Sequence, residues 1–136
     1  MTIHILVAGD RPHVADLARE AFDDLDCQII PATSLTLAVF LTQKNLPDLI
    51  LSDFTMHDGD GMTYINEVKA DAELRGIPFL FISDKQDAER DERASKAGAD
   101  GVLNFPLEPS QLKREVLPYI NIRLAEKGQR ELQTPE

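Results

Sequence analysis

The sequence predicts a doubly wound α/β fold, in which five parallel strands alternate with five helices. Short apolar segments alternate with longer segments whose apolar residues recur every three or four positions, the period of an amphipathic helix. The short segments are apolar throughout, which is typical of parallel strands that are buried on both faces. Strands joined through helices make right-handed crossovers, so the helices are expected to cover both faces of one open sheet.

Length, composition and charge fit one globular domain. The chain has 136 residues, 43% of them hydrophobic, and a single core is normal at this size. The formal net charge of −10 disfavours nucleic acids and anionic membranes as partners, because both bind clustered cations. No apolar run is long enough to span a bilayer, and the N-terminus does not resemble a signal peptide. With one cysteine and no internal disulfide, we expect a cytoplasmic protein.

Residues that begin or end helices bound the predicted elements. Pro12 suits the first turn of the first helix, Ser34 can cap the second, and Gly98 suits the end of the fourth. Pro118 lies inside the last helix and is expected to bend it or fray it. The predicted strands are 3–8, 27–32, 49–51, 77–82 and 101–105, and the predicted helices are about 12–25, 34–45, 62–68, 84–98 and 109–124.

The C-terminal segment is separated from this domain in the prediction. Residues 1–122 are expected to form the domain, and residues 123–136 a polar helical extension or tail. Only Ile122, Leu124, Ala125 and Leu132 are available to pack. The segment either extends the last helix toward another domain or partner, or it is a fraying terminus.

Polar side chains follow several of the predicted strands, at the edge of the sheet where ligands bind in open α/β folds. If the strands take the flavodoxin-like order 2-1-3-4-5, Asp10, Asp53 and Ser83 converge there. Two neighbouring carboxylates favour a divalent cation, and Mg²⁺ accepts carboxylates, carbonyls and water. A carboxylate beside Mg²⁺ can act as a nucleophile toward phosphorus, and a nearby hydroxyl can hydrogen-bond a phosphoryl oxygen.

A family resemblance agrees with this chemistry. The stretch PDLILSDFTMHDGDGM, with GDRP upstream, FIS at the end of the fourth strand and AGADG before the fifth, resembles the receiver domain of bacterial two-component response regulators. The resemblance covers roughly residues 3–122. It implies that Asp53 is the phosphoacceptor and that Ser83 is the switch hydroxyl. It also implies that Asp10, Asp53 and the backbone carbonyl of Thr55 bind Mg²⁺.

The same resemblance implies partners. The phosphoryl group would come from a histidine kinase or a phosphotransfer protein. A homodimer through the face made by helix 4, strand 5 and helix 5 is a further expectation. The domain would accept a phosphoryl group on itself and would not be a turnover enzyme.

Four positions depart from the family pattern. Gly9 replaces the first member of the acidic pair, Phe105 replaces the usual Lys, Val102 stands where an aromatic switch residue is frequent, and His57 replaces a Pro. Loss of one carboxylate is expected to weaken Mg²⁺ binding. Loss of the Lys removes a charge-assisted hydrogen bond, worth roughly 1.5–3 kcal/mol. Arg11, in the first loop, is a candidate substitute for that cation.

Two alternatives follow from these departures and from the acceptor motif. The first is a pseudo-receiver, which uses the same fold as a phosphorylation-independent interaction or dimerisation module. The second is a dehalogenase-like phosphatase with Asp53 as nucleophile. The second is disfavoured, because the further Lys and acidic pair that such an enzyme needs on later strands are not in place.

Overall fold

The structure, a computed structural model, describes residues 2–128. Its main sheet has five parallel strands in the order β2-β1-β3-β4-β5, which confirms the predicted fold class and strand order. The strands are β1 (Ile3–Ala8), β2 (Cys27–Ala32), β3 (Leu49–Asp53), β4 (Phe79–Ser83) and β5 (Gly101–Asn104). The helices are α1 (Pro12–Ala21), α2 (Leu35–Asn45), α3 (Gly61–Ala70), α4 (Ala88–Ala97) and α5 (Pro109–Glu126).

Two apolar clusters, one on each face of the sheet, form the core. Successive side chains of a strand point to opposite faces, so each central strand supplies both clusters. On one face, Ile5, Leu51 and Leu80 pack with α1 and α5. On the other face, Ile50 and Phe81 pack with α2, α3 and α4. This double burial explains why the central strands are apolar throughout.

The helix boundaries agree with most of the sequence signals. The Ser34 side chain accepts a hydrogen bond from the Leu37 N–H at 3.1 Å, and Gly98 ends α4 with a positive φ of 111°. Pro12 lies in the first turn of α1. The expected fraying at Pro118 is wrong, because α5 continues past it to Glu126. Pro118 lies on the exposed side of α5.

The segment after β3 contains structure where the sequence predicts only a loop. Residues Thr55–Met56 and Gly59–Asp60 pair as a short antiparallel hairpin. Both carboxylate oxygens of Asp58, at its turn, accept hydrogen bonds from the first N–H groups of α2, at 2.7 Å and 3.1 Å. These backbone bonds lower the pKa of Asp58 to about 2. The hairpin is therefore fixed against the N-terminus of α2.

The last helix runs without a break across the predicted boundary at residue 122. Leu124 is fully buried against the core. Just beyond the helix, Lys127 Nζ lies 2.7 Å from the buried carboxylate of Asp48. The predicted packing residue Leu132 lies outside the described residues. Among residues 2–128, no helix has the length and apolar character needed to cross a membrane.

Cys27, the one cysteine of the chain, begins the edge strand β2. Its side chain is half-buried and packs against the cluster that contains α1 and α5. Burial, with smaller effects from Asp48 and Asp26, raises the pKa of the thiol to about 12. The environment of Cys27 therefore keeps the thiol protonated.

Candidate functional site

A cavity of about 400 Å³ opens at the carboxyl end of the sheet. All four residues predicted for the site line it: Asp10, Asp53, Thr55 and Ser83. They come from three separate loops and strand ends, which the parallel order of the sheet brings to one edge. The structure therefore places the predicted residues together, while their roles stay predictions.

Asp53 is the last residue of β3 and is only 5% exposed. It pairs in register with Ile82 of β4, one residue before Ser83, so Asp53 and Ser83 lie near each other across adjacent strands. Asp10 is exposed at the rim of the cavity. The acceptor candidate is thus a nearly buried carboxylate at the base of an open polar cavity.

Arg11 binds directly to this carboxylate. Its Nε lies 3.0 Å from Asp53 Oδ1, and its Nη2 forms an ion pair with the same oxygen. Its Nη1 forms a second ion pair with the carboxylate of Asp84, which is exposed at the cavity rim. The hydrogen bond to Asp53 is the main reason why the pKa of Arg11 is raised. The cation that the sequence offers as a substitute for the missing Lys therefore binds the carboxylate of Asp53.

The protonation of Asp53 depends on opposing influences. Burial is the largest and raises the pKa of Asp53, because the charged form loses water. The guanidinium of Arg11 lowers it, and the negative charges of Asp10 and Asp84 raise it further. The net result is a carboxyl group whose pKa lies above its usual range.

The Asp53 carboxylate leaves no space for a side chain at position 9, which is Gly9. The residue has a φ of +141°, a conformation that favours glycine. A Cβ built at position 9 would overlap Asp53 Oδ2 and lie 2.7 Å from Asp53 Cγ. The Asp53 side chain thus fills the space that an acidic side chain at position 9 would need.

Ser83 lines the cavity, but its hydroxyl is bound within its own turn. Its Oγ donates a hydrogen bond to the carbonyl of Lys85 at 2.7 Å and accepts one from the Lys85 N–H at 3.0 Å. The side chain is nearly buried, at 6% exposure for the residue. To donate to a phosphoryl oxygen, this hydroxyl must give up its bond to the Lys85 carbonyl.

An aromatic stack beside the acceptor was not predicted from the sequence. The rings of Phe54 and Phe81 stack with centroids 4.1 Å apart, and the Arg90 guanidinium lies 4.1 Å above the Phe54 ring. Arg90 comes from α4, so the stack connects the residue after Asp53 with that helix. The apolar character of Phe54 next to a strand-end Asp is the one sequence signal that pointed to it. Asp84, which holds Arg11, was visible only as a polar residue after β4.

The remaining departures from the family pattern lie outside the acceptor contacts. Phe105 is buried in the core cluster with α1 and α5, and its N–H donates to the carbonyl of Ser83 at 2.8 Å. Val102 is half-buried against the opposite cluster. His57 is exposed in the turn of the short hairpin. Position 105 therefore contributes apolar packing at the place where the family supplies a cation.

Comparison with known proteins assigns the chain to a family. The family model described as "Response regulator receiver domain" matches residues 5–117, most of the chain. The chain belongs to the response regulator receiver family. This receiver is 26% identical over 112 residues to the response regulator Rre1 of Synechocystis, and 27% identical over 112 residues to the phosphate regulon transcriptional regulatory protein PhoB of Escherichia coli. Each alignment covers 82% of the chain, which spans about half the length of these relatives (48% and 49%).

Solved structures show the same receiver fold. The chemotaxis response regulator CheY4 of Vibrio cholerae superposes with a TM-score of 0.80 at 20% identity, covering 88% of this chain and 99% of that one. The signal receiver domain of a LuxO repressor protein from Vibrio parahaemolyticus gives a TM-score of 0.84 at 16% identity, covering 93% and 96%. At these identities, the likeness establishes the architecture.

The donor set of this receiver fits Mg²⁺ in part. Two carboxylates, Asp10 and Asp53, and the Thr55 segment line one cavity, and Mg²⁺ takes one or two carboxylates and fills its remaining positions with water. Within residues 2–128, no three His, Cys, Asp or Glu side chains cluster closely enough to hold a metal by themselves. Arg11 already binds Asp53 Oδ1. A metal at this site would therefore rely on few protein ligands and would meet a resident cation.

Proposed function

We propose that this receiver accepts a phosphoryl group on Asp53 in a two-component signalling pathway. The observation that carries the proposal is the position of the Asp53 carboxylate, at the end of β3 and at the base of an open cavity that also contains Asp10, Thr55 and Ser83. Membership of the receiver family supports it. The domain would itself carry the phosphoryl group and would not act as a turnover enzyme.

In the proposed step, a carboxylate oxygen of Asp53 attacks the phosphorus of a phosphohistidine donor. The new O–P bond forms as the P–N bond of the donor breaks, and the electron pair of that bond stays on the donor imidazole. The donor would be a histidine kinase or a phosphotransfer protein in the cytoplasm. The guanidinium of Arg11 lowers the pKa of Asp53 and so favours the charged, reactive carboxylate, against the effect of burial.

Asp10, Asp53 and the backbone carbonyl of Thr55 would hold Mg²⁺ at this site, with water completing the coordination. The ion, when bound, neutralises charge on the transferring phosphoryl group. Ser83 would exchange its bond to the Lys85 carbonyl for one to a phosphoryl oxygen. That exchange would alter the turn between β4 and α4, which gives phosphorylation a route to the surface of α4.

Intact mass spectrometry after incubation with acetyl phosphate and Mg²⁺ tests the proposal. We expect a gain of one phosphoryl group, absent in Asp53→Asn and absent when EDTA replaces Mg²⁺. Ser83→Ala serves as a second variant, which should still be modified because Asp53 is intact. A folded wild-type protein that gains no mass, or an equal gain in Asp53→Asn, contradicts the proposal.

The pseudo-receiver is the second candidate, and two observations favour it. Arg11 already neutralises the acceptor carboxylate, and Phe105 replaces the family cation with a buried ring. A receiver of this kind would bind its partner, or a second copy of itself through the α4–β5–α5 face, without phosphate. Sedimentation of wild type and Asp53→Asn, with and without acetyl phosphate, separates the two candidates. Equal assembly under all conditions supports the pseudo-receiver.

A further inference from the structure

We propose that Arg11 competes with divalent metal for Asp53, so that a metal ion binds only when the guanidinium leaves Oδ1. This inference rests on the proposed function, because it assumes that the cavity takes Mg²⁺. It assigns Arg11 a role as a positioning residue that sets the metal affinity of the site. Receivers with this arrangement would rest in a metal-poor state at Mg²⁺ concentrations that fill an unobstructed acidic site.

One oxygen of the Asp53 carboxylate, Oδ1, is already bonded to a cationic side chain. Oδ1 accepts hydrogen bonds from Nε and Nη2 of Arg11. Oδ2 faces the backbone of Gly9 so closely that a Cβ there would overlap it. A cation that approaches Oδ1 from the cavity therefore meets the guanidinium of Arg11.

Electrostatics makes simultaneous occupancy unfavourable. A guanidinium and a divalent cation on the same carboxylate oxygen would repel each other at a site where Asp53 is only 5% exposed and solvent screening is weak. Among the described residues, Arg11 is the one cation bonded to Asp53. The guanidinium of Arg90 is occupied by the Phe54 ring and by Asp91 instead.

Asp84 provides a second carboxylate that can hold the Arg11 guanidinium after it leaves Asp53. Its carboxylate binds Nη1 at the cavity rim, and its side chain is 66% exposed. The guanidinium can therefore leave Asp53 and keep one ion pair, which limits the cost of the exchange. The 24% exposure of the Arg11 side chain shows that it already borders solvent.

Binding of Mn²⁺, a paramagnetic substitute for Mg²⁺, tests the inference without any phosphodonor. The fraction of free Mn²⁺ is measured by electron paramagnetic resonance at the same pH for every variant. We expect Arg11→Ala and Arg11→Gln to bind Mn²⁺ about tenfold more tightly than wild type, the size of one charge-assisted hydrogen bond. Arg11→Gln keeps most of the apolar part of the side chain. If circular dichroism shows that Arg11→Ala is unfolded, the Mn²⁺ affinity of Arg11→Gln tests the inference.

Arg19→Ala is the matched control for net charge. Arg19 lies on α1, the helix that follows Arg11, and its side chain is 50% exposed and pairs, in the described chain, only with the surface residue Asp16. Since a distant exposed charge is screened, its removal should change the Mn²⁺ affinity by less than about twofold. In an Asp53→Asn background, Arg11→Ala should have no effect, because the shared ligand is gone.

Three results would overturn the inference: equal or weaker Mn²⁺ binding in the Arg11 variants, an equal gain in Arg19→Ala, or no measurable binding in either wild type or the Arg11 variants. The outcome is independent of phosphorylation. If Mn²⁺ binds as expected and acetyl phosphate adds no mass, the competition stands and the phosphoacceptor proposal fails. If mass is gained and the Arg11 variants bind metal like wild type, the competition fails alone.

Discussion

Gly9 and Asp53 share one small volume at the end of the sheet, and each restricts the other. The φ of Gly9 is +141°, and any Cβ there would overlap the Asp53 carboxylate. We expect Gly9→Ala to lower the free energy of unfolding by about 1–3 kcal/mol, the usual range for local backbone strain. Urea unfolding followed by circular dichroism measures the difference.

Gly128→Ala is the control for this substitution. Gly128 also has a positive φ, of 71°, but no atom lies within 4 Å of a Cβ built there. Its φ lies near the left-handed helical region that other residues also adopt, so Gly128→Ala has a smaller backbone cost than Gly9→Ala and no overlap. A loss as large in Gly128→Ala as in Gly9→Ala would show that Asp53 does not occupy the space beside position 9.

The charge of Asp53 is expected to reduce stability as the pH rises. Because the folded-state pKa of Asp53 is raised above the ordinary value of 3.8, its contribution is fully present below 3.8 and is lost as the pH rises through the folded pKa. Asp53→Asn should therefore gain stability relative to wild type as the pH rises above 3.8 through the folded-state pKa of Asp53. Urea titrations across this range measure the difference between the two proteins.

For Asp58→Asn, the stability difference from wild type should change with pH in the opposite direction. The pKa of Asp58 is lowered to about 2, so its contribution is present above 3.8 and is lost as the pH falls toward 2. The variant should be less stable than wild type at neutral pH, and the two should converge in acid. Parallel pH profiles for the two substitutions would contradict at least one of the two assignments.

At the scale of residues, position along the chain predicted Asp10, Asp53 and Ser83, because strand ends of a parallel sheet meet at one edge. The Arg11–Asp53 contact joins residues 42 positions apart through a long flexible side chain. The sequence indicates Arg11 only as a candidate substitute for the missing Lys, because hydrophobic periodicity does not predict which residue a guanidinium group contacts. The Ser83–Lys85 turn was likewise invisible before the backbone geometry was known.

At the scale of elements, the C-terminal part of α5 packs into the core and is expected to contribute to its stability. Leu124 is fully buried, and Ile122 on the same helix is 56% exposed. We expect Leu124→Ala to cost about 2–5 kcal/mol of unfolding free energy, because it leaves a cavity in the core. Ile122→Ala should cost less than about 0.5 kcal/mol, as is usual for a surface substitution.

Chemical denaturation of the two variants separates them. An equal effect at both positions would show that the helix frays before residue 124, as a domain boundary at residue 122 would predict. The division between residues 1–122 and 123–136 stays a prediction. The burial of Leu124 and the contact of Lys127 with Asp48 favour a later end to the folded unit.

The period of the apolar residues predicted the longer helices and strands. It did not predict the short hairpin after β3 or the continuation of α5 past Pro118. The hairpin after β3 has two residues in each strand, too few for any period to show. The sequence predicts that Pro118 bends or frays α5; the helix does not fray there, and the buried residues Val116, Leu117, Ile120 and Leu124 hold it on both sides of Pro118. Tertiary packing outweighed the local rule.

At the scale of the whole molecule, strand order was predictable because continuous apolar strands and intervening helices leave few topologies. The excess of acidic residues, 24 against 14 basic, is a second global property. We expect the free energy of unfolding to rise with NaCl, because screening of the repulsion between carboxylates outweighs the weakening of exposed ion pairs.

Urea unfolding in EDTA at about 0.01 M and 0.15 M NaCl, where the Debye length falls from about 30 Å to about 8 Å, measures this effect. EDTA removes any contribution from bound metal. A free energy that is unchanged or lower at the higher salt concentration would show that attractive pairs, such as Lys113–Asp24 and Lys127–Asp48, dominate the electrostatics of the folded chain.

The single cysteine makes this receiver suitable for site-selective chemical labelling. Maleimides and iodoacetamides react with the thiolate, and burial holds the pKa of Cys27 at about 12. Almost none of the native thiol is therefore reactive at neutral pH. A cysteine introduced at an exposed position, such as Gln43 on α2, would be modified first. Fluorophores or spin labels can thus be attached to the wild-type background without replacing Cys27.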